Sequence, residues 1–155
     1  MNTWLVVFLV VLSDQLSKWA AHAWLEPLQS VSLIPGLLHL TYVRNTGAAF
    51  GLFRGWAALF TVLAALIAGW VSLELARRHH APLNRLGLAL VLGGAVGNLM
   101  DRLRTGSVID FIDLRVWPVF NLADSAITIG VILLVWNTLF SSKGVREKGS
   151  KGEGE

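Results

Sequence analysis

A chain of 155 residues that is 54% hydrophobic and 15% charged, with a mean hydropathy of +0.60, is too apolar for an ordinary soluble domain and falls in the membrane class. The absence of cysteine excludes disulfides, thiolate metal sites and a cysteine nucleophile. The net charge of +3 is small and the basic residues gather near the ends of apolar runs, so they read as orientation signals at a lipid surface and not as a nucleic-acid footprint.

Four apolar stretches, residues 3–24, 56–76, 83–103 and 122–140, are each long enough at roughly 20 residues to cross a bilayer as a helix. The first contains Ala21-His22-Ala23, which has the form of a signal-peptide cleavage site. MNTW lacks the basic start of such a peptide, however, and Asp14 and Lys18 interrupt the apolar run, so a span is the better reading. Asp14 and Lys18 share one helix face, with His22 a turn further on, and form an internal ion pair as a structural polar feature. Ser17 beside Lys18 suggests a Ser/Lys hydrolase pair, but adjacent helix residues point about 100° apart, which makes it a weak nucleophile site.

Between the first two spans, SVSLIPGLLHLTYVRNTGAAFGLF alternates apolar and polar residues and is punctuated by Pro35, Gly36 and Gly47. A small sheet lying on the membrane surface, over about residues 28–53, fits this pattern. The second span stops at Arg77-Arg78-His79-His80, and Pro82 opens the third. Within the third, Gly93 and Gly97 form a small-xxx-small pair that admits another helix closely. Gly94, Asn98 and Arg102 line up at i, i+4 and i+8, and Asp101 is expected to join their face. A polar helix end reaching for headgroups is the bland account of that stripe. Residues 104–120, RTGSVIDFIDLRVWPVF, hold a second β-like piece. After the fourth span, residues 141–155 are rich in glycine and charge and are expected to form a disordered cytoplasmic tail.

Arg77, Arg78, Arg85, Lys143, Arg146, Lys148 and Lys151 lie on one side of this topology, against Arg44, Arg54, Arg102, Arg104 and Arg115 on the other. The bias puts both termini in the cytoplasm. Seven tryptophans suit a protein with two water–lipid interfaces. No repeat relates the two halves, which counts against an inverted-repeat transporter. His22, His39, His79 and His80 have no ligand spacing, so no metal and no cofactor are expected.

The carboxylates Asp101, Asp110, Asp113 and Asp124 remain. In FNLADSAITIG, Asn121 can be a helix N-cap with Asp124 at the third helical position, where the helix dipole also favours an anion. Asp110, in VIDFI, is close enough in sequence to lie at the same bilayer edge as Asp124. Two neighbouring carboxylates share a proton, so one can activate water while the other protonates the leaving amine. Asp113, three residues along the strand from Asp110, points to its opposite face and is expected to be interfacial. The dipole at Asp124 leaves the shared proton mainly on Asp110.

The motifs DQLSK (14–18), NTGAAF (45–50), GGAVGNLMDR (93–102), GSVIDF (106–111) and FNLAD (120–124) occur in this order and cover nearly the whole chain apart from the tail. Together they resemble the bacterial lipoprotein signal peptidases, the signal peptidase II family. The resemblance implies an α-helical membrane protein with four transmembrane helices and an extracytoplasmic β-cradle. It implies an intramembrane aspartic endopeptidase of the cell inner membrane, with Asp110 and Asp124 catalytic near the extracytoplasmic face. Asn45, Gly47, Asn98, Arg102 and Asn121 would support the dyad or bind substrate, while Asp14, Lys18 and Asp101 would be structural. The substrates would be prolipoproteins carrying diacylglycerol on the lipobox cysteine, cut just before it, by a monomer contacting membrane lipids and no nucleic acid. The loop over the site, residues 111–120, is shorter than in some members. Two other classes compete with this reading. One is a proton- or ion-coupled transporter using Asp14, Lys18, Asp101 and Asp124 as relay groups. The other is a scaffold whose carboxylates only cap helices and meet headgroups.

Overall fold

The computed structural model describes residues 2–26, 28–47 and 57–149, with side chains at all of these except 57 and 141–149. Helix α1 (Thr3–Leu25) is followed by strands β1 (Ser30–Ile34) and β2 (Leu38–Asn45), then α2 (Ala57–Arg77), α3 (Pro82–Thr105), β3 (Val108–Asp113) and α4 (Leu122–Gly149). All four helices are long and apolar enough to cross a membrane. Their outer faces keep Phe8, Leu16 and Trp19 on α1, Leu66 and Trp70 on α2, and Ile132 and Trp136 on α4 more than half or nearly half exposed, a surface that only lipid would cover.

α3 is the central helix. Of its spanning window 56% is buried, against 17% for α1, 11% for α2 and 17% for α4. Small residues make that position possible. Gly93 and Gly97 admit α1, where a Cβ at Gly93 would meet Val10 at 2.7 Å and one at Gly97 would meet Asp14 Oδ2 at 2.5 Å. Gly94, on another side of α3, lies against the Ala123 carbonyl of α4. α2 packs on α3 with Ala68, Val71 and Leu75 against Leu88, Leu92 and Ala95.

These contacts give a paired prediction. Gly97→Ala is expected to lower stability in detergent by about 1–3 kcal/mol, because the carboxylate it strikes is fixed by other bonds. Gly69→Ala, where an added Cβ meets nothing within 4 Å, should be neutral or stabilise by up to about 1 kcal/mol. Thermal unfolding of the two variants side by side checks this. Equal effects would mean that α1 and α3 are not in the close contact described.

The three strands form one antiparallel sheet in the order β1-β2-β3. β1 and β2 turn through Pro35-Gly36-Leu37, with Gly36 at φ +75°. Val43 pairs with Asp110 and Asn45 with Val108, so the second outward connection completes the sheet begun by the first. Tyr42 and Phe111 seat the sheet on Ala21 and Leu25 at the end of α1. Beyond β3 the chain doubles back. Ile112 N–H donates to Phe120 O at 2.8 Å and Phe120 N–H to Ile112 O at 3.0 Å.

The helical spans fall close to the sequence expectation, and the predicted β-segment resolves into β1 and β2. Residues 48–56, including the end of NTGAAF, lie outside the described residues. The helical backbone of α4 runs on to Gly149, into the segment expected to be disordered; with Lys, Arg and Glu among its residues and no proline, nothing there forces a stop. Asp113, expected to be interfacial, is the last residue of β3. It is 6% exposed, accepts hydrogen bonds from the Thr41 hydroxyl (2.8 Å) and the Arg115 N–H (2.8 Å), and braces the turn in which Arg115 takes φ +64°.

Candidate active site

The start of α4 is built locally, by a reciprocal cap. Asn121 Oδ1 accepts from the Asp124 N–H at 2.9 Å, and Asp124 Oδ2 accepts from the Asn121 N–H at 3.3 Å. With its oxygen used in the cap, Asn121 has its amide nitrogen free to donate, and this reaches Asp110 Oδ1 at 2.6 Å. The other Asp110 oxygen accepts from Asn45 Nδ2 at 2.9 Å. Asn45 is held in turn by the Gly47 N–H, which donates to its Oδ1 at 3.0 Å. Asn98 Nδ2 donates to Asp124 Oδ1 at 2.8 Å, and Asn98 Oδ1 accepts from Asn121 Nδ2 at 3.2 Å. One amide-linked frame therefore holds both carboxylates. They line a single cleft of about 170 Å³ together with Asn45, Asn98, Arg102 and Trp117. A wider apolar cleft of about 380 Å³ runs along α4 past Ser125, Thr128 and Ile129, and shares Trp117, Phe120 and Asp124 with the first.

Asp110 is 3% exposed. Burial, reinforced by the neighbouring Asp124 charge, pushes its pKa up to about 7, against the opposing hydrogen bonds from Asn45 and Asn121. On the same strand, burial also acts on Asp113 but is outweighed by its bonds to Arg115 N–H and Thr41 and by the Arg115 charge, so its carboxyl stays below the ordinary range. Two carboxylates three residues apart are thus pushed in opposite directions.

Behind the cleft lies a buried ionic layer. Lys18 Nζ is 2.9 Å from Asp14 Oδ2, 2.8 Å from Asp101 Oδ2, and donates to Asn98 Oδ1 at 2.8 Å. The last contact fixes which end of the Asn98 amide faces Asp124. Asp14 Oδ1 accepts from the Ala123 N–H at 3.0 Å, so α1 also supplies an acceptor to the first turn of α4. Asp101 Oδ2 accepts a longer bond, 3.4 Å, from the Ile109 N–H beside Asp110.

The residues singled out in the sequence divide accordingly. Asp110, Asp124, Asn45, Gly47, Asn98, Arg102 and Asn121 come together around one cleft. Asp14 and Lys18 pair as expected, and Asp101 joins Asn98 as expected, both meeting the Lys18 ammonium of α1 at 2.8 Å. Ser17 spends its hydroxyl on the Asp14 carbonyl (2.8 Å), and His22 leaves the Asp14–Lys18 face to meet Tyr42 and Glu26, both at 3.0 Å. Sequence reasoning missed Gln15, which donates to Asp101 Oδ1 (3.0 Å) and the Gly97 carbonyl (3.2 Å). Its place one residue after Asp14, on a face otherwise turned to lipid, was the available signal.

A family model described as Signal peptidase (SPase) II matches residues 6–140. The lipoprotein signal peptidase of Moorella thermoacetica is 50% identical over 138 residues, 87% of this chain and 91% of that protein. That of Shewanella oneidensis is 45% identical over 153 residues, 92% of this chain and 89% of that protein. A solved bacterial membrane enzyme structure, 31% identical, superposes with a TM-score of 0.80 over 99% of this chain and 93% of that one.

Proposed function

Because this chain belongs to the signal peptidase II family, a family of lipoprotein signal peptidases in bacterial membranes, we propose that it works as an aspartic endopeptidase on diacylglyceryl-modified prolipoproteins, cutting just before the lipidated cysteine. The observation that carries this reading is the pair Asp110 and Asp124 on one cleft, tied together through Asn121 and Asn98. Asp124 takes a proton from a water molecule as that water attacks the scissile carbonyl carbon. Asp110 gives its proton to the carbonyl oxygen, forming the tetrahedral intermediate. Collapse of that intermediate breaks the C–N bond, and the departing nitrogen takes the proton from Asp124 while the second hydroxyl returns its proton to Asp110. Asn121 and Asn45 hold Asp110 in register, and Arg102 adds a positive charge at the cleft where negative charge develops. The apolar cleft along α4 suits the apolar peptide that leads to the cleavage point. The excess of basic residues at the other end of the bundle supports cytoplasmic termini and an extracytoplasmic site in the inner membrane.

The test is cleavage by the purified chain in detergent, on one prolipoprotein with and without the diacylglyceryl group, across pH 5 to 9. Only the modified substrate should be cut. The rate should fall as pH rises through about 7, because Asp110 then loses the proton it has to donate. The same raised pKa makes the folded chain hold that proton more tightly than the unfolded one. Its stability contribution is full below the ordinary carboxylate range and is lost as pH rises through about 7. Equal cutting of both substrates would remove the lipid requirement, and a rate rising through pH 7 would remove Asp110 as the proton donor.

A further inference from the structure

The end of the bundle remote from the two carboxylates has a larger cleft, of about 500 Å³, between the start of α1, the α2–α3 connection and the start of α3. Val6, Leu86 and Ala89 give it an apolar floor, and Thr3, His80 and Arg85 are its polar members. Thr3, in the cleft lining, is 7% exposed and its hydroxyl has no partner among the described residues. α3 begins here without a side-chain cap, since Ala81 cannot provide one and Pro82 has no N–H, so the first-turn N–H groups of Leu83 and Asn84 receive no side-chain acceptor among the described residues. Arg85 makes no ion pair among the described residues. Glu74, on α2, is engaged by Arg78 (3.5 Å) and His80 (3.6 Å).

We propose that this cleft binds an anionic phospholipid, with the phosphate at Arg85, the Thr3 hydroxyl and the start of α3, and an acyl chain along Val6, Leu86 and Ala89. The polar groups of the cleft that are left over can all donate, a hydroxyl, backbone N–H groups and a guanidinium, which matches phosphate oxygens, while the unpartnered acceptor of this turn, Asn84 Oδ1, is buried outside the cleft lining. The floor is apolar, so free phosphate would leave it uncovered, whereas a phospholipid fills both parts. A zwitterionic lipid would bring its own cation to a rim that already holds Arg85. The proposal is independent of the cleavage reaction and holds or fails without it.

Native mass spectrometry of the full chain in detergent tests it, by titration with phosphatidylglycerol and with phosphatidylcholine of the same acyl chains. Phosphatidylglycerol should be retained at lower concentration. Arg85→Gln should weaken its binding by about fivefold and leave phosphatidylcholine unchanged. Val6→Phe, which fills the floor, should weaken both lipids, and Arg78→Gln, outside the cleft, should weaken neither. Equal retention of the two lipids by the unaltered chain overturns the proposal, whether or not the variants fold. So does an Arg78→Gln loss as large as that of Arg85→Gln, which would assign the effect to the basic edge as a whole. Displacement by glycerol 1-phosphate alone would make the site one for a soluble phosphate.

Discussion

Asp110→Asn and Asp124→Asn are each expected to lower cleavage of a lipid-modified prolipoprotein by roughly 10²–10⁴-fold, the range for loss of a positioned general acid or base. The double variant should be hardly worse than either single one, because the two groups act as a unit. The substitutions also disturb hydrogen bonds, and this has to be separated from chemistry. Both Asp110 oxygens accept amide hydrogens, from Asn121 and Asn45, so an asparagine there sets one NH₂ group against another. At Asp124 both oxygens accept as well, from Asn98 and from the Asn121 N–H, and an amide can serve only one of them, weakening the cap by about 0.5–2 kcal/mol. Unfolding curves alongside the rates therefore decide the matter. A folded variant without activity supports the dyad, and a folded variant with near-normal activity ends it. Asp113→Asn is the control. It carries a comparable change on the same strand, its partners are Thr41 and Arg115, and it should keep cleavage.

Lys18→Met should have the largest effect on stability, about 3–5 kcal/mol. Lys18 is 2% exposed and Asp14 fully buried, so the substitution strands Asp14 and Asp101 without the cation that both contact. Asn98 loses the donor that orients it, so cleavage should fall together with stability. Adding Asp14→Asn to Lys18→Met should recover part of the loss, since one of the stranded charges is then gone. If Lys18→Met unfolds within about 1 kcal/mol of the unaltered chain, the ionic layer is not what holds α1 to α3.

What could be read from the sequence was mainly what is local. Four apolar runs of spanning length set the helices, because in hydrocarbon the backbone has to satisfy itself within each segment. The Asp14–Lys18 pair follows from helical spacing and the Asn121–Asp124 cap from a three-residue interval, and both occur as expected. The contacts that make a site of these parts are long-range. Lys18 meets Asn98 across 80 positions, Asp14 meets the Ala123 N–H across 109, and Thr41 meets Asp113 across 72. No periodicity encodes such partners. The register of β2 on β3, which brings Asn45 to Asp110, is similarly invisible to alternation alone, and Asn45 entered the site only through family resemblance. Asp101 was placed beside Asn98 by its spacing on α3, but the Lys18 ammonium that joins the two comes from another helix and was not legible in that spacing.

The bond from the Ala123 N–H to Asp14 also bears on biosynthesis. Asp14 and Lys18 are translated first, Asn98 and Asp101 well after them, and the first turn of α4 last of all. Until that turn emerges, Asp14 lacks its backbone donor and Asn98 its carboxylate acceptor, with both already on helices bound for the membrane. Insertion of the final helix is therefore the step that closes the polar interior. A chain halted before residue 121 leaves an open acceptor on Asp14 and an open donor on Asn98 in its nascent helices, the kind of defect by which a membrane quality-control protease can tell an unfinished chain from a finished one.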